Sequence, residues 1–229
     1  MHDRETARRL GVTWQWAVFA VLAALCASAK AQNTIQNPNF AADLPPWTLF
    51  LSAAPDPAGS GSAAWTATED AGDAIGTSGA AELGLDANPS AAHAAAGIRQ
   101  CVTFAQTTVL QANYGARFKI PASDAADGSV GATVEIRFFS DAACTQFIAG
   151  AGGTQGRAIV AGVPDDAFWY SAGDASFQLP VNTVAQSAEV RASLRKLGTS
   201  NQPYVGYFDD IYLSLNGSVP VSLQSFDVD

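Results

Sequence analysis

The sequence has few of the side chains on which most enzyme active sites depend. Its 229 residues include two histidines, three cysteines and one methionine, and only 14% of the residues are charged. There is no G-x-S-x-G nucleophile elbow, no H-E-x-x-H zinc motif and no glycine-rich phosphate loop. We therefore expect a protein that is not an enzyme. The alternative is a small glycan hydrolase or lyase that uses Glu135 and Glu189 as its pair of carboxylates.

Basic residues are also scarce. The chain has 12 lysines and arginines against 21 acidic residues, a net charge of −9 and a pI of about 4.5. Such a protein repels the phosphate backbone, so a nucleic acid is not an expected partner. Long apolar runs are missing as well, and no segment is long enough to be a membrane span.

The first 31 residues have the three parts of a signal peptide. Arginines 4, 8 and 9 precede an apolar run over 14–25, and small residues follow up to Ala31. The run is shorter than a bilayer requires, which favours a cleaved leader over a membrane anchor or a buried helix. We expect cleavage after Ala29 or Ala31 and a secreted or periplasmic protein of bacterial type. Without the leader the net charge becomes −11.

Two cysteines remain after the leader is removed, Cys101 and Cys144. An even count in an oxidising compartment predicts a disulfide bond. Closing a loop of this length would stabilise the fold by about 4 kcal/mol. A zinc site is the weaker alternative, because two cysteines and His93 do not have the spacing of zinc ligands.

Four segments alternate between apolar and polar residues with period two. They cover 110–120, 130–138, 188–194 and 204–215. This alternation is typical of antiparallel strands that have one face in a core and one in water. Two irregular regions, 55–79 and 150–174, separate the strands, with one short strand expected near Trp65. Because the sequence contains 20 glycines, 11 prolines and no convincing helix, it predicts an all-β antiparallel sandwich of the jelly-roll type.

The predicted organisation is a single domain. The leader occupies 1–31, the β-sandwich domain occupies 32–215, and a linker with a short acidic tail occupies 216–229. We find no internal repeat and expect a monomer.

Two short motifs resemble the ends of CenC-type carbohydrate-binding modules, which belong to the galactose-binding-like group. Asn37-Pro38-Asn39-Phe40 followed by Trp47 is similar to the opening of these modules, and 207–213, with the sequence YFDDIYL, is similar to their closing strand. The resemblance implies a jelly roll whose first and last strands pair, with Phe40 and Trp47 as core residues. It also implies that the partner is a polysaccharide or a surface glycan. The alternative is a surface or matrix domain that binds proteins.

The same resemblance implies a structural calcium ion at Asp209, with Asn37 and Asp43 as further ligands. The alternation over 204–215 predicts that Asp209 faces inward together with Tyr207 and Ile211. A buried carboxylate needs a cation or hydrogen-bond donors, and calcium binds six to eight oxygens.

The candidate ligand-binding residues fall into two kinds. Charged residues occupy the polar faces of the strands, where they form either a solvated surface or the wall of a binding groove. These residues are Arg117, Glu135, Arg137 and Arg191. Aromatic residues in the two irregular regions are candidates for stacking on sugar rings, although they could also pack over the sandwich. These residues are Trp65, Trp169 and Tyr170.

Overall fold

The structure is a computed structural model that describes residues 33–53, 58–72, 78–87, 93–149, 154–198, 200 and 202–215. The predicted signal peptide and the predicted tail at 216–229 lie outside the described residues. Among the residues described, no helix is long and apolar enough to cross a membrane.

Ten strands and one short helix make up the described fold. In chain order they are β1 (Thr48–Leu51), β2 (Ala58–Thr66), β3 (Ala80–Ala87), β4 (Ala95–Thr108), β5 (Gln111–Lys119), α1 (Ala122–Ala125), β6 (Val130–Phe139), β7 (Gln155–Ala161), β8 (Tyr170–Gln178), β9 (Val184–Lys196) and β10 (Pro203–Leu215). The strands form two five-stranded sheets. The first sheet has the order β1-β4-β9-β6-β7, and the second sheet has the order β2-β3-β10-β5-β8. All neighbouring strands are antiparallel.

The two sheets pack face to face over one apolar core, as the alternation predicts. In β6, Val134 and Ile136 are buried in the core, while Glu135 between them lies on the opposite face. Tyr114 and Phe118 of β5 project into the same core from the second sheet. The predicted antiparallel β-sandwich is confirmed, and all four alternating segments are strands.

Both regions predicted as irregular contain strands. Region 55–79 contains the nine-residue β2, and region 150–174 contains β7 and the start of β8. The sequences of β2 (AGSGSAAWT) and β7 (QGRAIVA) hold few large apolar residues, and both strands lie at sheet edges, where one flank has no strand to pair with. Their alternation is therefore weak. The short strand expected near Trp65 is present, and its nine residues make the irregular region shorter than predicted.

The N-terminal segment runs alongside the last strand, as the resemblance implies. The Thr34 amide donates to the Leu213 carbonyl at 3.2 Å, and the Ile211 amide donates to the Pro38 carbonyl at 2.9 Å. The next segment brings Phe40 into the core, where its ring centroid lies 6.0 Å from that of Trp47. The role of both aromatic residues in the core is confirmed.

A bulge in β10 changes which residues face the core. The register against β5 shifts between Asp209 and Tyr212, and Asp210 has a positive φ of 47°. Tyr204 and Phe208 before the bulge, and Ile211 after it, are buried in the core. Asp209 consequently lies on the outer side, opposite Arg117 of β5. The prediction that Asp209 shares the core-facing side with Ile211 was wrong, because strict alternation cannot anticipate a bulge.

The predicted disulfide is present. Cys101 of β4 is bonded to Cys144, with an S–S distance of 2.07 Å and a Cα–Cα distance of 6.0 Å. It fixes the 140–149 loop to the outer face of the first sheet. The loop is also held there by Ser187, whose hydroxyl donates to the Asp141 carbonyl at 2.6 Å, and by Thr103, whose hydroxyl donates to the Ala142 carbonyl at 2.9 Å. The loop covers one end of this face.

Candidate functional site

The outer face of the first sheet carries a band of charged side chains. The strand registers place Arg99 of β4, Arg191 of β9, Glu135 of β6 and Arg157 of β7 in one row across four strands. The neighbouring row, nearer the 140–149 loop, holds Glu189 of β9 and Arg137 of β6. This arrangement follows from period-two alternation, because each residue lies between two core-facing residues of its own strand. We call these six residues the charged band.

Glu135 lies at the centre of the charged band and is contacted by three arginines. Its Oε1 accepts a hydrogen bond from Arg137 Nε at 2.5 Å and lies 3.7 Å from Arg191 Nη1. Its Oε2 accepts from Arg157 Nε at 2.7 Å and Nη2 at 2.5 Å. Only 7% of the Glu135 side chain is exposed. The three arginines therefore hold this carboxylate in one fixed position beneath the surface.

The charge state of Glu135 follows from these contacts. Burial by itself would raise the pKa of Glu135, but the guanidiniums of Arg137, Arg157 and Arg191 outweigh burial and lower the pKa below its ordinary value. The carboxyl group therefore stays ionised at neutral pH. A glycosidase acid must instead keep its proton near neutral pH, and Glu135 is unsuited to that role.

Glu189 is the second carboxylate of the charged band. Its Oε1 accepts from Arg191 Nε at 2.7 Å and from Nη2 at 2.5 Å, and its Oε2 lies 3.5 Å from Arg99 Nη1. Arg191 therefore bridges the two glutamates, and its guanidinium carbon lies 4.9 Å from the ring centroid of Phe50 on β1. The cation–π contact and the ion pairs leave 18% of the Arg191 side chain exposed.

A groove with a volume of about 530 Å³ lies over part of the charged band. Phe50 and Leu51 of β1 form one wall, and Thr133 and Ser193 line the floor. The charged residues that line it are Glu135, Arg137, Arg157, Arg191 and Arg195. Exposed His93, from the turn before β4, is at its edge.

Small residues keep the floor of the groove low. Gly97 lies in register between Phe50 and Ser193, where a Cβ atom would approach the Ala192 carbonyl oxygen to 2.1 Å, so that no side chain fits. Thr133 pairs with Ser193 on the next strand, and the buried Thr133 hydroxyl has no hydrogen-bond partner among the described residues. A buried hydroxyl costs free energy unless a water molecule or a ligand supplies its hydrogen bond.

Arg117 is not part of this groove. It lies on β5 of the second sheet, on the opposite face of the sandwich, where its Nη1 donates to the Ala71 carbonyl at 2.7 Å and its Nη2 to the Trp169 carbonyl at 3.4 Å. Lys119 on the same strand forms an ion pair with Glu69 and lies 5.8 Å from the Trp169 ring centroid. The predicted arginines therefore separate into two groups, one on each side of the molecule.

The other two aromatic candidates also belong to the second sheet. Trp65 is 37% exposed, and its indole Nε1 donates to the Phe40 carbonyl at 2.8 Å. Tyr170 packs against the core, with its ring centroid 6.1 Å from that of Phe118. Neither residue approaches the charged band, because both lie on strands of the other sheet. Their role in binding stays a prediction.

The residues predicted to bind calcium make other contacts in the structure. Asn37 Nδ2 donates to the carbonyls of Asp43 and Pro45 at 2.8 and 3.0 Å, and Asn37 Oδ1 accepts from the Ala41 amide. Asp209 accepts from the Ala71 amide at 2.8 Å instead. Within the described ranges, no group of three or more His, Cys, Asp or Glu residues could hold a metal ion. Because carbonyl and amide oxygens also bind calcium, the ion at Asp209 stays a prediction.

Burial and neighbouring carboxylates act on the carboxyl group of Asp209. Burial raises the pKa of its carboxyl to about 8, and the nearby carboxylates of Asp210 and Asp70 act in the same direction, against the amide donors of Ala71 and Asp210. The adjacent guanidinium of Arg117 is itself partly desolvated, and burial lowers its pKa.

Sequence reasoning missed two members of the charged band, Arg99 and Arg157. Of the eight basic residues after position 31, these two alone lie outside the recognised alternating segments and their ends, so periodicity did not assign them to a face. Arg157 lies in β7, whose region was predicted to be irregular. Arg99 lies in β4, where the alternation is interrupted by glycine and by alanines that are too small to mark one face.

Comparisons with known proteins add information on the fold. No protein-family model matches the sequence, and a search of curated proteins finds no significant match. Among solved structures, the chain is similar to the enzymatically active domain of bacteriophage CBA120 tailspike protein 4 (13% identity, TM-score 0.50, covering 80% of this chain and 21% of that one). It is also similar to the arabinose-bound α-L-arabinofuranosidase MgGH51 (10% identity, TM-score 0.50, covering 86% and 30%).

A third similar structure is TmCBM61 in complex with β-1,4-galactotriose, at 13% identity and a TM-score of 0.48, covering 81% of this chain and 99% of that one. The chain spans less than a third of the length of the tailspike and arabinofuranosidase chains. At such low identities these similarities concern the fold alone, and the activities of these proteins do not transfer to this chain.

Proposed function

We propose that this protein is a secreted, non-catalytic domain that binds a polysaccharide or surface glycan in the groove over the charged band. The observation that carries the proposal is the groove itself, which holds about 530 Å³ above a floor of polar side chains. The ion pairs of Glu135 and Glu189 fix the arginines before any ligand arrives. A site ordered in advance loses little side-chain entropy on binding.

The chemistry of the lining suits a sugar chain. Sugars present many hydroxyl groups, and the lining offers guanidinium donors, a carboxylate acceptor and the hydroxyls of Thr133 and Ser193. Phe50 supplies an apolar wall at the edge of the sheet. A polymer laid across the strands would contact several of these groups at once, which is how weak individual contacts add up to retention.

The absence of catalysis is proposed from the same contacts. Glu135 and Glu189 are the two carboxylates of the charged band, and both accept from arginine at 2.5 Å. A hydrolase would need one of the two to hold a proton and the other to attack or to activate water. The guanidiniums around Glu135 lower its pKa and so disfavour its protonated form. New reducing ends after incubation with a polysaccharide panel would contradict the proposal of a non-catalytic domain.

Secretion is proposed from the leader and supported by the Cys101–Cys144 bond, because disulfides persist in oxidising compartments. N-terminal sequencing of the exported protein tests it. We expect a mature chain that begins at Lys30 or Gln32, and an uncleaved cytoplasmic chain would contradict the proposal.

Affinity electrophoresis in gels that contain soluble polysaccharides tests glycan binding. The full mature protein should be retarded by at least one polysaccharide, and Phe50→Ala should reduce this retardation. Leu49→Ala is the matched control, because it is the next residue of the same edge strand, is 43% exposed and does not line the groove. If no polysaccharide retards the protein, or if both variants act alike, the groove is not a glycan site, and a protein-binding surface domain becomes the better description.

A further inference from the structure

We infer that the groove selects acidic glycans, and that its arginines bind the carboxylate or sulfate groups of such a polymer. This inference rests on the proposed glycan binding and names the class of glycan. Among the described residues, the charged band holds four arginines and two glutamates, a formal surplus of two positive charges, and Arg195 also lines the groove. The whole chain has a net charge of −9, so the groove has a positive lining in an acidic protein. Such a local field attracts anions to this one surface.

The internal ion pairs do not account for this surplus. Two carboxylates, those of Glu135 and Glu189, are contacted by four arginines of the charged band, so two positive charges are left over. Arg99 and Arg191 lie directly opposite each other on β4 and β9, a position where like charges destabilise a sheet. Crowding partly buried cations around too few carboxylates costs folding free energy. An anionic ligand would supply the missing negative charge.

The arginines also retain donors for a ligand. Glu135 accepts from Arg137 through Nε alone, and neither Nη group of Arg137 has a partner in the part of the chain that the structure describes. Arg157 gives Nε and Nη2 to Glu135. The side chains of Arg137 and Arg157 are 29% and 37% exposed, so a ligand in the groove can reach them. Guanidinium groups bind carboxylates and sulfates through paired hydrogen bonds, which lysine cannot form in the same way.

The described lining of the groove offers little aromatic surface on which a sugar ring could stack. Neutral sugars are commonly held by stacking on the face of a tryptophan or tyrosine ring, and neither residue is found among the described residues that line the groove. Phe50 is the one phenyl ring in the described lining, and it already contacts the guanidinium of Arg191. The lining therefore recognises charge more than it recognises ring faces.

A matched pair of polymers tests the inference. The protein should be retarded in gels containing polygalacturonate or dextran sulfate and should migrate freely through neutral galactan and dextran. Raising the salt concentration should weaken this retention, because the contacts are ionic and partly open to solvent. The two acidic polymers also separate carboxylate from sulfate as the group that is bound.

Substitutions in the charged band then locate the binding. Arg137→Met and Arg157→Met should each weaken binding about tenfold, the usual effect of losing a hydrogen bond between charged groups. Lys119→Met removes the same charge from the other sheet and should leave binding unchanged. Glu135→Gln should tighten binding to the acidic polymers, because it removes the internal competitor for three arginines.

The sign of the Glu135→Gln effect separates a binding role from a structural one. Circular dichroism shows whether Glu135→Gln folds. If it does not, the inference is tested by comparing Arg137→Met and Arg157→Met with the Lys119→Met control. Equal losses for all three basic substitutions would mean that net charge alone drives binding, and would overturn the inference. Retention by neutral polymers that Phe50→Ala abolishes would overturn the inference while the proposed function stands. No retention by any polymer would overturn both.

Discussion

Arg99 and Arg191 face each other across β4 and β9, and the carboxylate of Glu189 lies within 3.5 Å of both guanidiniums. Glu189 therefore offsets a repulsion that the register imposes. The side chain of Arg99 is 46% exposed, whereas that of Glu189 is only 8% exposed, so part of this interaction is shielded from solvent and salt.

We expect Glu189→Gln to lower the free energy of unfolding by about 2 kcal/mol, because it leaves two opposed arginines without their shared carboxylate. Urea denaturation measures this loss. Glu69→Gln is the control, since it breaks the Lys119 ion pair on the other sheet and should cost less than about 1 kcal/mol. Equal costs for the two variants would show that Glu189 is an ordinary surface residue.

The stability of the fold should depend on pH through Glu135. Its folded pKa lies below the ordinary 4.5, so its contribution is fully present above about pH 4.5 and is lost as the pH falls through the lower folded pKa. Urea denaturation between pH 3 and pH 6 should show wild type losing more stability on acidification than Glu135→Gln. Parallel pH profiles for the two proteins would contradict the assigned charge state.

The second sheet offers an independent test of the aromatic candidates. We expect Trp169→Ala to lower stability by about 1–2 kcal/mol, because it removes a half-buried ring beside Lys119, and to leave groove-based glycan retention unchanged. Lost retention at unchanged stability would instead support the sequence-based prediction that Trp65, Arg117, Trp169 and Tyr170 bind sugar.

Reduction of the disulfide should destabilise the domain by about 4 kcal/mol, the loop-closure value for residues 43 apart in sequence. Thermal unfolding with and without reductant measures the difference, and a double Cys101→Ala, Cys144→Ala variant should match the reduced protein. An unchanged midpoint in reductant, with both thiols titrating as free, would mean that the 140–149 loop is held by its hydrogen bonds alone.

The calcium prediction is tested by removing metal from the mature protein. If a structural ion is bound near Asp209, chelator should lower the thermal unfolding midpoint and added calcium should restore it. Metal analysis should then find about one bound ion per chain. Asp209→Asn would remove this response. If the midpoint is insensitive to chelator and no metal is found, the amide donors of Ala71 and Asp210 are sufficient for the buried carboxyl.

The sequence was sufficient to predict the strands in which large apolar residues alternate with polar ones. Val134 and Ile136 around Glu135 illustrate this, because their faces could be assigned without knowing their neighbours. The end motifs also located Phe40 and Trp47 in the core. Edge strands such as β2 were missed in part, since alanine, glycine and serine mark neither face.

The candidate site was predicted only in part, for two physical reasons. Alternation assigns a residue to a face of its own strand but not to a sheet, so Arg117 was grouped with Arg137 and Arg191 although it lies on the other side of the sandwich. A local bulge reverses the alternation, which is why Asp209 was placed on the wrong side of β10. Both facts depend on strand pairing between distant segments.

The position of β10 between β3 and β5 determines when the domain can acquire its structure. Without β10 the second sheet would consist of two separate strand pairs, β2 with β3 and β5 with β8. During synthesis, residues 203–215 are the last of the described strands to emerge, so the second sheet cannot close before they have left the ribosome. Pairing between such distant segments is slow. The second sheet therefore depends for its continuity on the strand that is made last among those described.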